Sequence, residues 1–220
     1  MRLDAVAYAV QQLLLYAQQN EKVANHFGVG LYPFIRYMET YQSLSTNLTT
    51  VGTAATSLTT LIDNGNGSSA LGSGGTHFEN ALPELNNVIT NVGTGLTASS
   101  PLPFVFMVTD GSQDSQYQIN DGSWYGSNSA TTLATSNCTT LKNRGIKIAV
   151  LYTPYVAIPN PTTIWNNEDG YANANIANIP PSLEACASPG FFFTASDPAA
   201  ITNTMQQMFL AAVTEARLTK

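Results

Sequence analysis

The sequence predicts an α/β fold with a doubly wound, mostly parallel sheet and helices on both of its faces. The first sign is the apolar run Phe104–Val108, which shows no alternation and is therefore typical of a strand covered on both faces. A second run of the same kind is Ile146–Tyr152 (IKIAVLY). Segments with apolar residues at the three-and-four spacing of helices alternate with these strands, as in doubly wound sheets. We expect Phe104–Val108 to be a central strand.

Length and composition favour a single domain spanning residues 1–220, because nothing resembles a linker. Charged residues make up only 10% of the chain, and the formal net charge is −6. With eight Lys and Arg residues in all, the chain has no basic face to neutralise phosphates, which argues against nucleic acid as a partner. Apolar stretches all fall short of the roughly 20 residues of a membrane span, and the N-terminus lacks the pattern of a signal peptide. We expect no membrane span.

The first half opens on an amphipathic helix, whose apolar positions are Leu3, Val6, Ala7, Val10, Leu13, Leu14 and Ala17. Phe27–Ile35 has the composition of a strand weakened by glycine and proline, and Tyr41–Leu44 is expected to pair with it as a hairpin. A second helix is expected to be capped by Thr49 or Thr50. Its apolar face is Val51, Ala54, Ala55, Leu58, Leu61 and Ile62.

Asp63–Gly75 is rich in Gly, Ser and Asn, and this composition predicts a surface loop whose end could shape the rim of a site. Thr76 is expected to begin the next helix. Glu79 follows three residues later, which is the spacing of a capping box, so the plain role of Thr76 is to cap that helix. The expected buried stripe is Phe78, Ala81, Leu82, Leu85, Val88, Ile89 and Val92.

Polar residues follow directly on the run Phe104–Val108, where open α/β sheets place their ligand sites. Among them, Asp110 has three possible roles at such a strand end: metal ligand, general base or turn cap. The polar insertion Ser112–Ser129 comes next and carries Gln116, Tyr117, Asp121, Trp124 and Tyr125. Such aromatic residues form either a recognition surface or a small cluster packed under the loop, and the second arrangement is the commoner one.

The second half is predicted to contain six elements. They are a helix (Thr131–Asn143), a strand (Ile146–Tyr152), an irregular segment (Thr153–Pro181), a short helix (Ser182–Ala187), a short strand (Phe191–Thr194) and a final helix capped by Asp197. The final helix carries Met205 and Met208 on its apolar stripe, where methionine is usually core. Cys138 and Cys186 are two buried thiols in a reducing compartment or one disulfide in an oxidising one.

The order of elements resembles that of the von Willebrand factor A domain. More narrowly, the chain is similar to the A-type domain at the carboxyl end of TadG-like proteins of the tight-adherence (Flp) pilus system. The residues that carry this resemblance are MRLDAV at the start, THFENALP, FMVTDG, CTTLKNRGIKIAVLYTPY, CASPGFFF and the terminal AVTEARLTK. The match covers nearly the whole chain and implies a Rossmann-type sheet.

The resemblance also implies a metal-ion-dependent adhesion site for Mg²⁺, a cation that prefers oxygen ligands. Three loops form that site in the family, and here Thr76 matches the second loop and Asp110 the third. The first-loop motif Asp-x-Ser-x-Ser, with the central strand before it, is missing from this sequence. We therefore expect a sheet without its first central strand, the carboxyl-terminal part of a longer protein, and weak or absent Mg²⁺ binding. Either neighbouring strands close the gap or a partner segment adds a strand.

The family likeness implies in addition a disulfide between Cys138 and Cys186. It further implies a non-enzymatic, pilus-associated module that acts in assembly or adhesion through contacts with pilus or envelope proteins, in the periplasm or at the cell surface. One alternative is a hydrolase using Asp110, Ser112 and His77, although no G-x-S-x-G motif is present and His77 is expected to be an exposed helix residue. Another is a structural scaffold with a degenerate metal site.

Overall fold

The computed structural model describes residues 3–58, 71–72, 74–97, 99–119, 122–127, 129–161 and 168–218. The helices are α1 (Leu3–Asn20), α2 (Leu48–Thr56), α3 (Phe78–Val88), α4 (Thr135–Asn143), α5 (Glu168–Asn175), α6 (Ile179–Cys186) and α7 (Pro198–Leu218). The longer strands are β1 (Val29–Leu31), β2 (Gln42–Ser45), β3 (Phe104–Thr109), β8 (Lys147–Tyr152) and β9 (Phe192–Thr194). Two-residue strands lie between β3 and α4: β4 (Ser112–Gln113), β5 (Tyr117–Gln118), β6 (Trp124–Tyr125) and β7 (Thr131–Thr132).

A parallel three-stranded sheet in the order β3-β8-β9 forms the centre of the fold. Its register pairs Phe104 with Lys147 and Val150 with Phe192. Strands β1 and β2 form a separate antiparallel hairpin, as the sequence predicts. The α/β class with parallel strands and flanking helices is therefore confirmed.

The prediction that Phe104–Val108 is a central strand is wrong for the described sheet, because β3 lies at its edge and β8 at its centre. Burial follows this order. The β8 residues from Ile148 to Leu151 are 0% exposed, whereas β3 is mostly half-buried. An apolar run in the sequence indicates only that helices cover both faces of a strand. It carries no information on whether a neighbouring strand is present on each side.

Two hydrophobic clusters cover the two faces of the sheet, because alternate residues of each strand point to opposite sides. The first cluster joins α1, α2 and α7 to Ala149 and Leu151 of β8. It also contains Met205 and Met208, which are core residues as predicted. The second joins α3, α4 and α6 to the other face of β8. Over the described residues, no helix combines the length and apolar character needed to cross a bilayer.

The beginnings of α2 and α3 differ from the prediction. Asn47 caps α2, since its side-chain oxygen accepts a hydrogen bond from the Thr50 N–H at 3.2 Å. Leu61 and Ile62, predicted as the end of this helix, lie outside the described residues. Helix α3 begins at Phe78, with His77 rather than Thr76 at the cap position and with no side-chain cap bond. A capping box needs a hydroxyl at that position, so the spacing alone misassigned it.

The end of the predicted α3 stripe also differs, because α3 ends at Val88 and the Val88 side chain is 38% exposed. Further on, α4 begins at Thr135 rather than Thr131, because β7 precedes it and pairs with β4. The segment predicted to be irregular contains α5, and α6 begins at Ile179. Prolines occupy the first turn of α6, where a backbone N–H would have no hydrogen-bond acceptor within the helix, so its absence costs no hydrogen bond.

Candidate functional site

A cavity of about 180 Å³ opens at the carboxyl end of β3. Its lining consists mainly of polar and acidic side chains. These residues are Gly75, Thr76, Asp110, Ser112, Asp114, Ala130, Tyr155, Glu168, Asp169 and Ala172. Thr76 and Asp110, the two predicted metal ligands, thus line the same cavity although 34 positions separate them in the sequence (110 − 76).

A tight turn after β3 positions Asp110. The Thr109 hydroxyl accepts a hydrogen bond from the Gly111 N–H at 2.9 Å. The Thr109 carbonyl accepts another from the Thr153 N–H, also at 2.9 Å, which joins the turn to the end of β8. Gly111 has φ +78°, a conformation in which glycine avoids the steric cost of a Cβ atom. Asp110 therefore projects from a turn that is fixed on both sides.

Backbone hydrogen bonds to the polar insertion position Thr76. The Asp114 N–H donates to the Thr76 carbonyl at 3.2 Å, and the Gly75 N–H donates to the Gln116 carbonyl at 2.9 Å. A Cβ atom on Gly75 would lie 2.3 Å from the Asp114 carbonyl oxygen, so a side chain there would push the two segments apart. The close approach of these backbones brings Thr76 to the cavity that Asp110 lines.

A pair of carboxyl groups forms one wall of the cavity. Asp114 is buried, and its Oδ1 accepts a hydrogen bond from the Gln116 N–H at 2.9 Å. Burial raises the pKa of Asp114 from 3.8 to about 6, and the charge of Glu168 and a side-chain hydrogen bond with Glu168 contribute to the rise. The hydrogen bond from the Gln116 N–H has the opposite effect on this pKa. Two carboxyl groups can hydrogen-bond to each other only when one of them holds a proton, so the hydrogen bond between Asp114 and Glu168 requires protonated Asp114 and is lost as the pH rises through about 6.

This raised pKa predicts a pH-dependent stability. The folded state binds the Asp114 proton more tightly than the unfolded state, so this contribution is complete below pH 3.8 and is lost as the pH rises through about 6. Relative to Asp114→Asn, the wild type should gain roughly 2 kcal/mol of unfolding free energy between about pH 7 and about pH 4.5. Urea unfolding at each pH measures this gain. Glu184→Gln, at an exposed carboxylate, is the matched control, and equal pH slopes for Asp114→Asn and the wild type would contradict the prediction.

The other polar groups of the cavity are also oxygen donors. Burial raises the pKa of the Tyr155 phenol, and the charges of Asp110, Asp169 and Glu168 raise it further, so the phenol keeps its proton. Oxygen donors suit hard cations such as Mg²⁺. However, no group of three or more His, Cys, Asp or Glu side chains within the described ranges is arranged to hold a metal ion. The donor types fit Mg²⁺, and the described ligand set is incomplete.

His77 is not the exposed helix residue that the sequence suggests, because its side chain is only 3% exposed. Its Nδ1 lies 2.7 Å from Glu79 Oε1, and its Nε2 lies 3.0 Å from the Gln116 carbonyl oxygen. Both ring nitrogens are thereby engaged, and neither is open to accept a proton from a serine. His77 does not line the cavity, so the structure does not bring it together with Asp110 and Ser112.

Three residues of the cavity were missed by the sequence reasoning: Tyr155, Glu168 and Asp169. They belong to the segment predicted to be irregular. Glu168 and Asp169 form the first turn of α5, where acidic residues favour the helix dipole. That adjacent acidic pair was the available signal for a helix start near the site.

The aromatic residues of the polar insertion divide into two groups. The Tyr117 ring contacts two neighbours: the Arg36 guanidinium lies 3.6 Å from its centroid, and the centroid of the Tyr125 ring lies 5.7 Å away. Trp124 is 44% exposed and Tyr125 is 47% exposed. Tyr117 therefore packs within the loop, whereas Trp124 and Tyr125 present aromatic surface to solvent. Asp121 lies outside the described residues.

A disulfide bond joins Cys138 of α4 to Cys186 at the end of α6. Both side chains are 0% exposed, and their Cα atoms are 5.1 Å apart. This is the pair that the family resemblance implies. The bond links the two helices that pack beside each other in the second hydrophobic cluster.

Comparison with known proteins shows a fold shared with solved structures. No family model matches the sequence, and no curated protein matches it. The pilus adhesin SpaC from Lactobacillus rhamnosus GG is similar in structure, with a TM-score of 0.61 and 15% identity over 98% of this chain. Its open conformation gives 0.59. This chain spans 28% of the length of that adhesin, so only part of the larger protein is comparable.

A second similar structure is the conserved hypothetical protein BatB from Bacteroides thetaiotaomicron, with a TM-score of 0.52 and 13% identity. The match covers 97% of this chain and 89% of BatB. At such identities the likeness concerns the fold alone.

Proposed function

We propose that this chain is a non-enzymatic, pilus-associated module that acts in assembly or adhesion through protein contacts at the face containing the cavity. The observation that carries the proposal is that Thr76 and Asp110, far apart in the sequence, line one cavity at the carboxyl end of a parallel sheet. The fold shared with part of a pilus adhesin supports it. More narrowly, we propose an A-type domain of the TadG-like kind, as the sequence resemblance implies.

Mg²⁺ is the proposed cofactor of this face. Thr76 and Asp110 would hold it from this chain, and the bound cation would offer coordination positions to an oxygen ligand of the partner protein. The nearby Ser112 hydroxyl is a further oxygen donor at the same cavity. The acidic character of the lining, with Asp110 and Asp169 among its residues, independently favours a cationic group at this face.

The proposed location is the bacterial envelope, in the periplasm or at the cell surface. Disulfides persist in oxidising compartments, and the Cys138–Cys186 bond fits such a place. The low proportion of charged residues, at 10%, also fits a surface protein whose polar character comes from Ser, Thr, Asn and Gln.

Calorimetric titration tests the metal site. For this chain alone we expect no saturable heat of Mg²⁺ binding in the micromolar range, because the described ligand set is incomplete. A longer protein that includes an upstream Asp-x-Ser-x-Ser motif is expected to bind Mg²⁺ tightly, and Asp110→Ala in that protein is expected to abolish binding. Micromolar affinity of this chain by itself, unaffected by Asp110→Ala, would contradict the assignment.

A genetic experiment in the producing bacterium tests the function. Deletion of the gene is expected to reduce pilus-dependent attachment of cells to a surface. The double variant Thr76→Ala/Asp110→Ala should fail to restore attachment, whereas Glu184→Ala, at an exposed acidic residue away from the cavity, should restore it. Normal pili and normal attachment in the deletion strain would refute the proposal, and turnover in an esterase or phosphatase screen would refute its non-enzymatic part.

A further inference from the structure

Arg36 is a cation whose charge the described part of the chain does not neutralise. Its guanidinium carbon lies 3.6 Å from the centroid of the Tyr117 ring and 4.9 Å from the centroid of the Tyr37 ring. Within the described ranges, no carboxylate forms an ion pair with Arg36, and its side chain donates no hydrogen bond. Acidic residues outnumber basic ones in this chain by 14 to 8, so an arginine without a carboxylate partner is unexpected.

The carboxylates of α3, the helix that contacts this segment, have other partners. Glu79 Oε1 lies 2.7 Å from His77 Nδ1. Glu84 Oε2 accepts a hydrogen bond from the Met38 N–H at 2.7 Å. The fold therefore uses two nearby acidic side chains for neutral or backbone donors and leaves the Arg36 charge available.

The backbone at Arg36 is held in place from two directions. The Arg36 N–H donates to the Leu71 carbonyl at 3.0 Å, and the Asn80 side-chain amide donates to the Arg36 carbonyl at 2.9 Å. A Cβ atom on Gly72 would lie 2.8 Å from Arg36 Cβ, so the two segments are in close contact. The side chain starts from a fixed point, which lowers the entropic cost of binding a ligand.

The ring contacts of Arg36 are compatible with an ion pair. A guanidinium that stacks on an aromatic ring uses its flat face, whereas its N–H groups lie in its own plane and point outward from its edges. Those N–H groups match the two oxygens of a carboxylate in a bidentate pair. The Arg36 side chain is half-buried, and a guanidinium is weakly hydrated, so such a pair costs little desolvation of the cation.

Exposed aromatic rings surround this cation. Tyr37 is 41% exposed, and Tyr125, whose ring stacks with that of Tyr117, is 47% exposed. Trp124 precedes Tyr125 in β6 and is 44% exposed. We call Arg36, Tyr37, Tyr117, Trp124 and Tyr125 the Arg36 surface. Arginine, tyrosine and tryptophan are the residue types that dominate the affinity of protein interfaces.

The Arg36 surface adjoins the cavity. Gly74 pairs with Tyr117 in an isolated antiparallel bridge, and the His77 N–H donates to the Ile35 carbonyl at 3.0 Å. Thr76, which lines the cavity, lies between these two contacts in the sequence. A partner protein that docks over the cavity would therefore also reach the Arg36 surface.

We propose that the Arg36 surface binds an Asp or Glu side chain of the partner protein, with an aromatic residue beside it that stacks on the exposed rings. One guanidinium matches one carboxylate, and no second Lys or Arg contacts these rings within the described residues, whereas phosphate groups are recognised by clusters of arginine. The acidic lining of the cavity next to this surface favours a single acidic residue over an acidic run. This inference rests on the proposed function and names the chemistry of its partner.

An NMR titration of the isotope-labelled chain without metal tests the site. The probe is the acetylated and amidated tetrapeptide Gly-Trp-Asp-Gly, and the signal is the Nε–Hε group of Arg36. We expect a saturable change with a Kd of about 1 mM, and roughly tenfold weaker binding when Asn replaces Asp, because a charged acceptor becomes neutral. No saturable change up to about 10 mM, or equal binding of the Asn peptide, would overturn the proposal. Tighter binding of glucuronic acid than of the peptide would also overturn it, in favour of an acidic glycan.

Variants of Arg36 test whether this guanidinium holds the carboxylate. Arg36→Met removes the charge and is expected to weaken peptide binding roughly tenfold in fluorescence anisotropy. Arg36→Lys keeps the charge without the planar fork and should bind with intermediate affinity. Lys22→Met is the matched control, because Lys22 is exposed and lines neither the cavity nor the Arg36 surface. Equal affinities of Arg36→Met and Lys22→Met would refute the role of Arg36.

Cell attachment separates failure of this inference from failure of the proposed function. In the deletion strain, Arg36→Met should restore attachment poorly, whereas Lys22→Met should restore it fully. If Arg36→Met restores attachment and Thr76→Ala/Asp110→Ala does not, the inference is wrong and the proposed function stands. If both variants restore attachment, the inference and the proposed role of the cavity face are both wrong.

Discussion

Replacement of both Cys138 and Cys186 by alanine is expected to lower the free energy of unfolding by roughly 4 kcal/mol. The bond spans 48 residues, and the cross-link restricts the unfolded chain over that whole loop. Alanine is chosen because both side chains are 0% exposed, where serine would bury a hydroxyl. In a thermal melt the loss corresponds to about 8 to 16 °C for a chain of this size.

Reduction provides the control for this prediction. The wild type treated with a phosphine reductant should melt close to the double alanine variant, and the reductant should have no effect on the variant itself. If the reduced and oxidised wild-type proteins melt at the same temperature, the bond does not stabilise the fold and the prediction is wrong.

Gly111→Ala is expected to destabilise the protein by about 3 kcal/mol or more. A Cβ atom at this position would lie 2.4 Å from Ile179 Cγ2 and 2.7 Å from Leu183 Cδ1, and both residues are fully buried. The φ of +78° adds the strain of a left-handed backbone for a residue that has a side chain. Because Gly111 follows Asp110, relaxation of the clash should also displace the carboxylate from the cavity.

Gly190→Ala is the matched control, because Gly190 has φ +79° and a Cβ atom there would meet nothing within 4 Å. It carries the same backbone strain without the clash, and about 1 kcal/mol of destabilisation is expected. Chemical denaturation of both variants gives the difference directly. Equal losses for the two variants would show that α6 does not pack closely on the turn after β3.

Elements with a strong local pattern were predictable from the sequence. Helix α1 shows the three-and-four spacing of apolar residues, and the run from Ile146 to Tyr152 corresponds to β8. Helix α5 lacks such a pattern, since Ala172 is its buried residue, and the sequence therefore predicts irregular chain there. The edge position of β3 was beyond the reach of the local pattern, because strand order depends on contacts between distant segments.

The same distinction, between local sequence patterns and contacts of distant segments, applies to the residues of the candidate site. Asp110 could be placed near a rim because polar residues at the carboxyl end of a parallel strand meet the neighbouring loops there. Glu168 and Asp169 could not, because their position at the cavity depends on how α5 packs. His77 was misjudged because its burial arises from a contact with the Gln116 carbonyl, 39 positions further along the chain.

The disulfide has a mechanical consequence for a module under tension. A pulling force applied through the chain ends would extend an unfolded polypeptide by about 3.4 Å per residue. The covalent link between Cys138 and Cys186 bridges a sequence separation of 48 that this force could not extend, which shortens the fully stretched chain by about 160 Å. The enclosed segment includes β8, so the central strand of the described sheet would be shielded from the load.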